Sequence, residues 1–298
     1  MKVLLTGCHG QVGYYLKQQI EKRPWSLLAA GRNELDITNA AAVNEVVQRF
    51  APDVIINAAA YTAVDRAESE PDLAFRANAD GPKNLAVAAQ QAGAAILHIS
   101  TDYVFSGDAE GAYTENDPVA PCSVYGASKL AGEQAIIETC PRHIILRTAW
   151  VFGEHGQNFV KTMLRLGRER EQLGVVADQY GGPTFAGDIA NALVQIASQL
   201  ETARLEGKAE TLPWGVYHYG GLPHVSWHQF AQTIFDEAKK QQLLPSPALK
   251  AITTAEYPTP AKRPTNSRLD CSKIEHLLGI QPSNWPQALQ RIQDYGQA

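Results

Sequence analysis

A chain of 298 residues, 45% apolar and 19% charged, has enough apolar mass for one large α/β unit or two domains. Its formal net charge of −5 and the lack of any long Lys/Arg run exclude a nucleic-acid footprint. No stretch approaches the roughly 20 apolar residues of a membrane helix, and the first apolar run, Val3 to Thr6, breaks at Gly7 as no signal peptide does. Cys8, Cys122, Cys140 and Cys271 are scattered without a Cys-x-x-Cys and read as free thiols in a reducing cytoplasm. The histidines lack ligand spacing, so no structural metal site is expected.

Lys2 to Thr6 reads as a strand that stops at Gly7-Cys8-His9-Gly10-Gln11-Val12-Gly13 and continues into a helix through Ile20. Glycines spaced G-x-x-G-x-x-G allow a tight turn and let a backbone approach a pyrophosphate, while the helix start offers free N–H groups to an anion. Gly7, Gly10, Gln11, Val12 and Gly13 are therefore candidate cofactor contacts. A plain β-turn is the alternative reading of a glycine cluster, and the strand-turn-helix setting favours the dinucleotide. Leu27 to Ala30 is a second strand, followed by Gly31-Arg32-Asn33. Where a dinucleotide fold often carries an acid for the ribose 2′-hydroxyl, this chain has Arg32, whose guanidinium suits a 2′-phosphate. NADPH is expected, with NADH left open; a solvated loop arginine is the bland alternative.

Asp36 and Ile37 are expected near the adenine. Thr38 or Asn39 caps a helix with Ala42, Val43, Val46, Val47 and Phe50 on one face, and Pro52 ends it. Asp53 to Asn57 is a third strand running into Ala58-Ala59-Ala60-Tyr61-Thr62, where small side chains let a cofactor lie close to the backbone. An alanine run serves packing equally well. Ser69-Glu70-Pro71-Asp72 opens a helix to Gln91, with Gly81-Pro82 marking a kink or local break. Ala94 to Ser100 is a continuous apolar run, as in a parallel strand covered on both faces.

The chemistry concentrates between Ile96 and Lys129. A strand ends in Ser100-Thr101-Asp102, and Tyr125 and Lys129 stand four residues apart at a helix start, hence on one face. An ammonium beside a phenol, joined by the Thr101 hydroxyl, is equipment for moving a proton on or off a carbonyl oxygen. The spacing alone is weak; a surface lysine beside a half-buried tyrosine would look the same. Arg142 to Thr148 is a fifth strand, so residues 1–150 describe a Rossmann-type doubly wound parallel sheet whose ligands sit beyond the strand C-termini. Residues 151–298 read as a smaller, irregular substrate domain, with helices over 158–170, 188–200 and 226–241 and a proline-rich interval from Leu244 to Pro264. The chain is expected to return to the main sheet around 185–220, near Gly215 to Tyr219.

The glycine turn and the Thr101, Tyr125 and Lys129 set resemble the extended short-chain dehydrogenase/reductase family. The motifs Ser100-Thr101-Asp102-Tyr103-Val104-Phe105, Asp178-Gln179-Tyr180-Gly181-Gly182-Pro183-Thr184 and Arg263-Pro264-Thr265-Asn266-Ser267 narrow it to the branch that reduces 4-keto sugar nucleotides. That resemblance implies hydride transfer from a nicotinamide to C4 of a dTDP-4-dehydro-6-deoxy sugar, a step of cell-surface polysaccharide precursor synthesis. Tyr125 would donate the proton, Lys129 would hold the nicotinamide ribose and lower the tyrosine pKa, and Thr101 would bond the keto oxygen. Asp102 and Trp150 align with substrate contacts, and Arg263 suits the diphosphate; an inter-element salt bridge is its alternative. Some relatives dimerise around Mg²⁺ held by acids, one of them on the first helix. Tyr14-Tyr15 stands there here, which leaves Mg²⁺ and a homodimer without support in the sequence.

Two rival readings share these residues. A 4-epimerase or 4,6-dehydratase has the same turn and Tyr-x-x-x-Lys, but a dehydratase commonly carries Asp-Glu where this chain has Asp102-Tyr103. A non-catalytic nucleotide-binding regulatory subunit would not require a proton donor.

Overall fold

The computed structural model describes residues 1–296. Strands β1 (Lys2–Thr6), β2 (Ser26–Ala30), β3 (Val54–Asn57), β4 (Ala95–Thr101) and β5 (His143–Thr148) join a sixth strand, Gly215–His218. All pair in parallel, in the order β2-β1-β3-β4-β5-sixth strand. β3 and β5 are buried along their whole length, because helices cover both faces and the apolar runs need no polar alternation. One face packs on α1 (Gln11–Ile20) and the helix Ala186–Leu205 through Leu16, Ile20, Ile189, Leu193 and Leu200. The other packs on α2 (Ala40–Phe50) and the helices Gly81–Ala92 and Val124–Thr139 through Val43, Val47, Leu85, Ala89 and Ile136. Strand order reverses between β1 and β3, which opens a crevice beyond their C-termini. No helix among the described residues is long and apolar enough to cross a membrane.

The helix opened by Pro71 does not break at Gly81-Pro82. It widens into a π-helical segment, Arg76–Asp80, between α-helical Pro71–Phe75 and Gly81–Ala92. Pro82 has no N–H to give to the carbonyl of Asn78 four residues back and its ring would crowd that carbonyl, and a widened turn relieves the conflict. The Asn78 carbonyl projects instead against Gly132 of the neighbouring helix, where a Cβ would lie 2.0 Å from it.

A third core holds most of the second half together: Phe152, Val160, Leu164, Phe230, Phe235 and Trp285 interlock between the helices Phe159–Glu169 and Trp227–Lys240 and the C-terminal segment. Asn158 and Ser226 cap these two helices. The proline-rich interval is less irregular than its composition suggests, because Ala248–Ile252 forms a strand parallel to Gln172–Val176. Only Leu249 and Ile252 of that strand are even half-buried, so no apolar run announces it. Gly215–His218 pairs with β5, so the chain after Phe185 contributes a helix and an edge strand to the first unit.

An ion pair is buried inside the first unit. Arg147 of β5 gives Nη2 to Glu133 Oε2 at 2.7 Å and Nε to Oε1 at 3.0 Å, and the two side chains are 6% and 1% exposed. Glu133→Leu strands a buried guanidinium and is expected to cost about 3–5 kcal/mol in denaturant unfolding. Adding Arg147→Met should recover most of that loss; a double variant as unstable as the single would mean that the lost pairing is not the cause.

Candidate active site

The glycine turn after β1 is a tightly closed cradle. Gly7 adopts φ +71°, a region that disfavours side chains, and a Cβ on Gly13 would sit 2.0 Å from the Gly7 carbonyl. α1 begins at Gln11 with Gly10 as a cap lacking any side-chain bond, so its first N–H groups stay free for an anion. A cleft of about 510 Å³ runs from this turn past Gly31–Thr38 to Ala58–Ala63. It gathers Gly7, Gly10, Arg32, Asp36, Ile37, Ala60, Tyr61 and Thr62.

The remaining turn residues act from behind. Val12 is buried in the core, and the Gln11 side-chain oxygen accepts a bond from Asn158 at 3.0 Å. Asp36 accepts from the Thr38 N–H and hydroxyl at 3.0 and 2.8 Å; with Arg32 and Arg76 nearby, these bonds hold its carboxyl below the usual range. Arg76 lines the same cleft, and sequence reading missed it, because nothing local marks the π turn that carries it. A glycine cradle at a helix start, an alanine-lined wall and two guanidiniums fit a dinucleotide bearing an extra phosphate.

The Ala58–Thr62 wall is pinned by residues that sequence reading also missed. Asn78, in the π turn, gives Nδ2 to the Tyr61 carbonyl at 3.0 Å and to Ser128 Oγ at 3.0 Å, and accepts from the Tyr61 N–H at 2.8 Å. The Tyr61 hydroxyl donates to Glu70 at 2.6 Å.

At the end of β4 the catalytic candidates converge. Ser123 caps the helix Val124–Thr139 by accepting from the Gly126 N–H at 3.1 Å. A Cβ at Gly126 would fall 2.2 Å from the Tyr103 carbonyl, so only glycine lets the helix start press onto the turn that follows Thr101. Tyr103 and Tyr125 meet edge to face, with centroids 5.5 Å apart. Burial and the Asp102 charge push the Tyr125 phenol above its ordinary pKa, the Thr101 hydroxyl opposing them. In this structure Tyr125 is thus a firmly protonated donor, above rather than below the free phenol. Lys129, 2% exposed, gives Nζ to the Ile99 carbonyl at 2.7 Å and lies 3.3 Å from His98 Nε2. Burial pulls its ammonium down to about 8, against Glu133.

The second half closes the far side. Asn266, on the short strand Asn266–Ser267, gives Nδ2 to the carbonyls of Ala109 and Gly111, both at 2.7 Å, which ties the loop after Phe105 to that strand. Arg263 pairs with Asp65 at 2.6 Å and donates to the Tyr103 hydroxyl at 3.1 Å, so its guanidinium already joins the two units. Trp150 holds φ +49°, uncommon for a bulky residue, and stacks on Trp227 at 3.6 Å.

At the first-helix place where the resemblance sets an acid for a metal, the structure has two tyrosines that are already engaged. Tyr14 stacks on His155, and the Tyr15 hydroxyl accepts from the Glu154 N–H at 3.1 Å. Among the described residues no group of three or more His, Cys, Asp or Glu is placed to hold a cation.

The fold and site define a nicotinamide-dependent oxidoreductase of the short-chain dehydrogenase/reductase kind. The family model for the RmlD substrate binding domain matches residues 1–297. A dTDP-4-dehydrorhamnose reductase from Aggregatibacter actinomycetemcomitans is 51% identical, over 99% of both chains. Among solved structures, a dTDP-4-dehydrorhamnose reductase from Clostridium acetobutylicum ATCC 824 superposes with a TM-score of 0.90 at 39% identity, covering 100% of each chain. Another from Bacillus anthracis str. Ames, in complex with NADP, gives 0.87 at 39% identity over 98% of each. The chain belongs to this family, the RmlD family of dTDP-4-dehydrorhamnose reductases.

Asp102 carries a measurable cost. It is 3% exposed and accepts from the Thr101 hydroxyl at 3.0 Å; the Ser267 hydroxyl lies near its carboxyl, but no donor in ordinary hydrogen-bond geometry meets Oδ2 among the described residues. Burial pushes its carboxyl up to about 6 from 3.8. The folded protein then holds this proton more tightly than the unfolded chain, so the contribution to stability is full below pH 4 and lost as pH rises through 6. Asp102→Asn should therefore gain up to about 3 kcal/mol on the wild type between pH 4 and pH 7, read from unfolding at both pH values. A pH-independent difference would show that Asp102 is not strained.

Proposed function

We infer that the chain reduces the C4 keto group of dTDP-4-dehydro-L-rhamnose to give dTDP-L-rhamnose, with NADPH as the preferred reductant. The observation that carries this is the Thr101 hydroxyl against the Tyr125 phenol at the end of β4, with Lys129 one helical turn beyond Tyr125, in a chain of this family whose glycine turn opens a dinucleotide cleft. A bound reduced nicotinamide supplies the hydride to the carbonyl carbon. Thr101, turning its one O–H away from Asp102, donates to the keto oxygen and steadies the developing charge. Tyr125, kept protonated by burial, gives its O–H proton to that oxygen as the carbon is reduced. Lys129, one turn beyond Tyr125, is assigned to the nicotinamide ribose, which it reaches by giving up its bond to the Ile99 carbonyl.

Asp102 and Trp150 bound the sugar. The free Asp102 Oδ2 suits a sugar hydroxyl, since an unpaired buried carboxylate oxygen gains from a donor. Arg263 braces Tyr103 through one guanidinium nitrogen and pairs with Asp65 through another, the salt bridge that is the alternative to its assignment to the diphosphate; that assignment rests on its remaining N–H groups. The preference for NADPH rests on Arg32 and Arg76 in one cleft, with Asp36 turned to Thr38, and agrees with the NADP complex of the Bacillus anthracis relative. The four unpaired thiols support a reducing, cytoplasmic setting.

The dehydratase alternative needs an added acid beside Asp102, and the neighbour there is Tyr103, a phenol that burial makes still less acidic. Tyr125→Phe is expected to bind NADPH normally and to lose about 10²–10⁴-fold in turnover of dTDP-4-dehydro-L-rhamnose. Unchanged turnover would remove Tyr125 from the reaction. Arg32→Ala should raise the KM for NADPH well above any change for NADH; equal changes would exclude a role in reading the 2′-phosphate.

A further inference from the structure

Behind Lys129 runs a buried polar row that the reaction described above does not use. Sheet register sets Thr6 of β1, Asn57 of β3 and His98 of β4 side by side, and they are 1%, 0% and 0% exposed. Thr6 Oγ1 donates to Asn57 Oδ1 at 2.7 Å, and the Ala59 N–H donates to the same oxygen at 3.0 Å. Asn57 Nδ2 lies 2.9 Å from His98 Nδ1, and His98 Nε2 lies 3.3 Å from Lys129 Nζ.

Donor and acceptor chemistry gives this row a direction. A backbone N–H only donates, so the Asn57 atom it meets is the oxygen, and the atom turned to His98 is the amide nitrogen. An amide nitrogen also only donates, so His98 Nδ1 is the bare ring nitrogen. The neutral ring then carries its proton on Nε2, facing Lys129; full burial disfavours a second proton. An ammonium at Lys129 has no lone pair and would set N–H against N–H. An amine accepts from His98 and still donates to Ile99.

We propose that the Asn57–His98 pair is a positioning device that presents an N–H, rather than a lone pair, to Lys129 and so weakens its hold on its proton. Lys129 then exchanges between amine and ammonium within the working pH range instead of remaining charged. The inference rests on the role given to Lys129 above. Burial acts in the same direction, and the other ionisable groups near Lys129 do not cancel it. Tyr125 and Glu133 share its helix, and Glu133 is paired to Arg147 of β5. From the π turn packed on that helix it is the uncharged Asn78 that reaches across, to Ser128. From β3 the contribution is Asn57, also uncharged.

Asn57→Asp reverses the direction of the row. One carboxylate oxygen keeps the Ala59 and Thr6 bonds, and the other demands a proton on His98 Nδ1, which turns an Nε2 lone pair toward Lys129. The alkaline limb of kcat, where the ammonium is lost, should move up by at least one pH unit, a tenfold gain in proton affinity. In a His98→Phe background the same substitution should leave the limb in place, which separates the ring's role from the added charge. ¹⁵N NMR of histidine-labelled wild-type protein, with the signal assigned by its loss in His98→Phe, should show a bare Nδ1 and a protonated Nε2.

A wild-type proton on Nδ1 overturns the proposal even if no variant folds. So does a limb that stays put in Asn57→Asp, or one that moves equally in the His98→Phe background. Lys129→Met separates the two readings. If its residual turnover lacks the limb and Asn57→Asp does not move it, this inference alone fails; if the limb persists, the role given to Lys129 fails with it.

Discussion

The site depends on an amine buried at the seam between one helix and one strand. Lys129 cannot reach water, and its partners are the Ile99 carbonyl and the His98 ring. A charged amine in such a place is costly, so burial pulls the ammonium down to about 8, and whatever fixes the helix against β4 also fixes its proton affinity. Gly126 at the helix start, pressed onto the Tyr103 carbonyl, and the Asn78 carbonyl against Gly132 set that separation from two sides. Moving either contact moves Tyr125 and Lys129 together.

The same economy of space explains why the second half must come back over the first. Tyr125 and Asp102 both lie at the open end of β4, where a parallel sheet leaves its ligands exposed. Arg263 to Asp65 and Tyr103, and Asn266 to the loop after Phe105, bring a wall from more than 150 residues away in sequence. Burial at that end of the sheet raises Asp102 and, together with the Asp102 charge, Tyr125 above their ordinary values, which favours donors over bases and suits reduction of a carbonyl. Strain at Trp150 and an unpaired Asp102 oxygen are where stability is given up for that purpose.

Much of this was legible in the residues. The strand, glycine turn and helix of the N-terminus, the continuous apolar run of β4 and the capped helix at Ser226 obey local rules, and the structure follows them. Gly81-Pro82 announced a disturbance but not its form, because the choice between a kink and a π turn depends on what the Asn78 carbonyl meets across the interface. Ala248–Ile252 gave no signal, since a two-stranded edge sheet buries too little to leave a pattern. Among site residues, Arg32 was marked by its place after β2, whereas Arg76, Asn78 and His98 were hidden. Each acts through a neighbour distant in sequence, and His98 inside an apolar strand looks like ordinary core.

Thr101 and Tyr125 at the end of β4, with Lys129 one turn further along the helix, serve net reduction at one carbon in this account. The most direct measurement supplies NADPH deuterated at the transferable position together with dTDP-4-dehydro-L-rhamnose, then locates the label in the sugar. One deuterium at C4 for each NADPH oxidised is the predicted result. Conversion of the sugar without net oxidation of NADPH, or without label at C4, would contradict it.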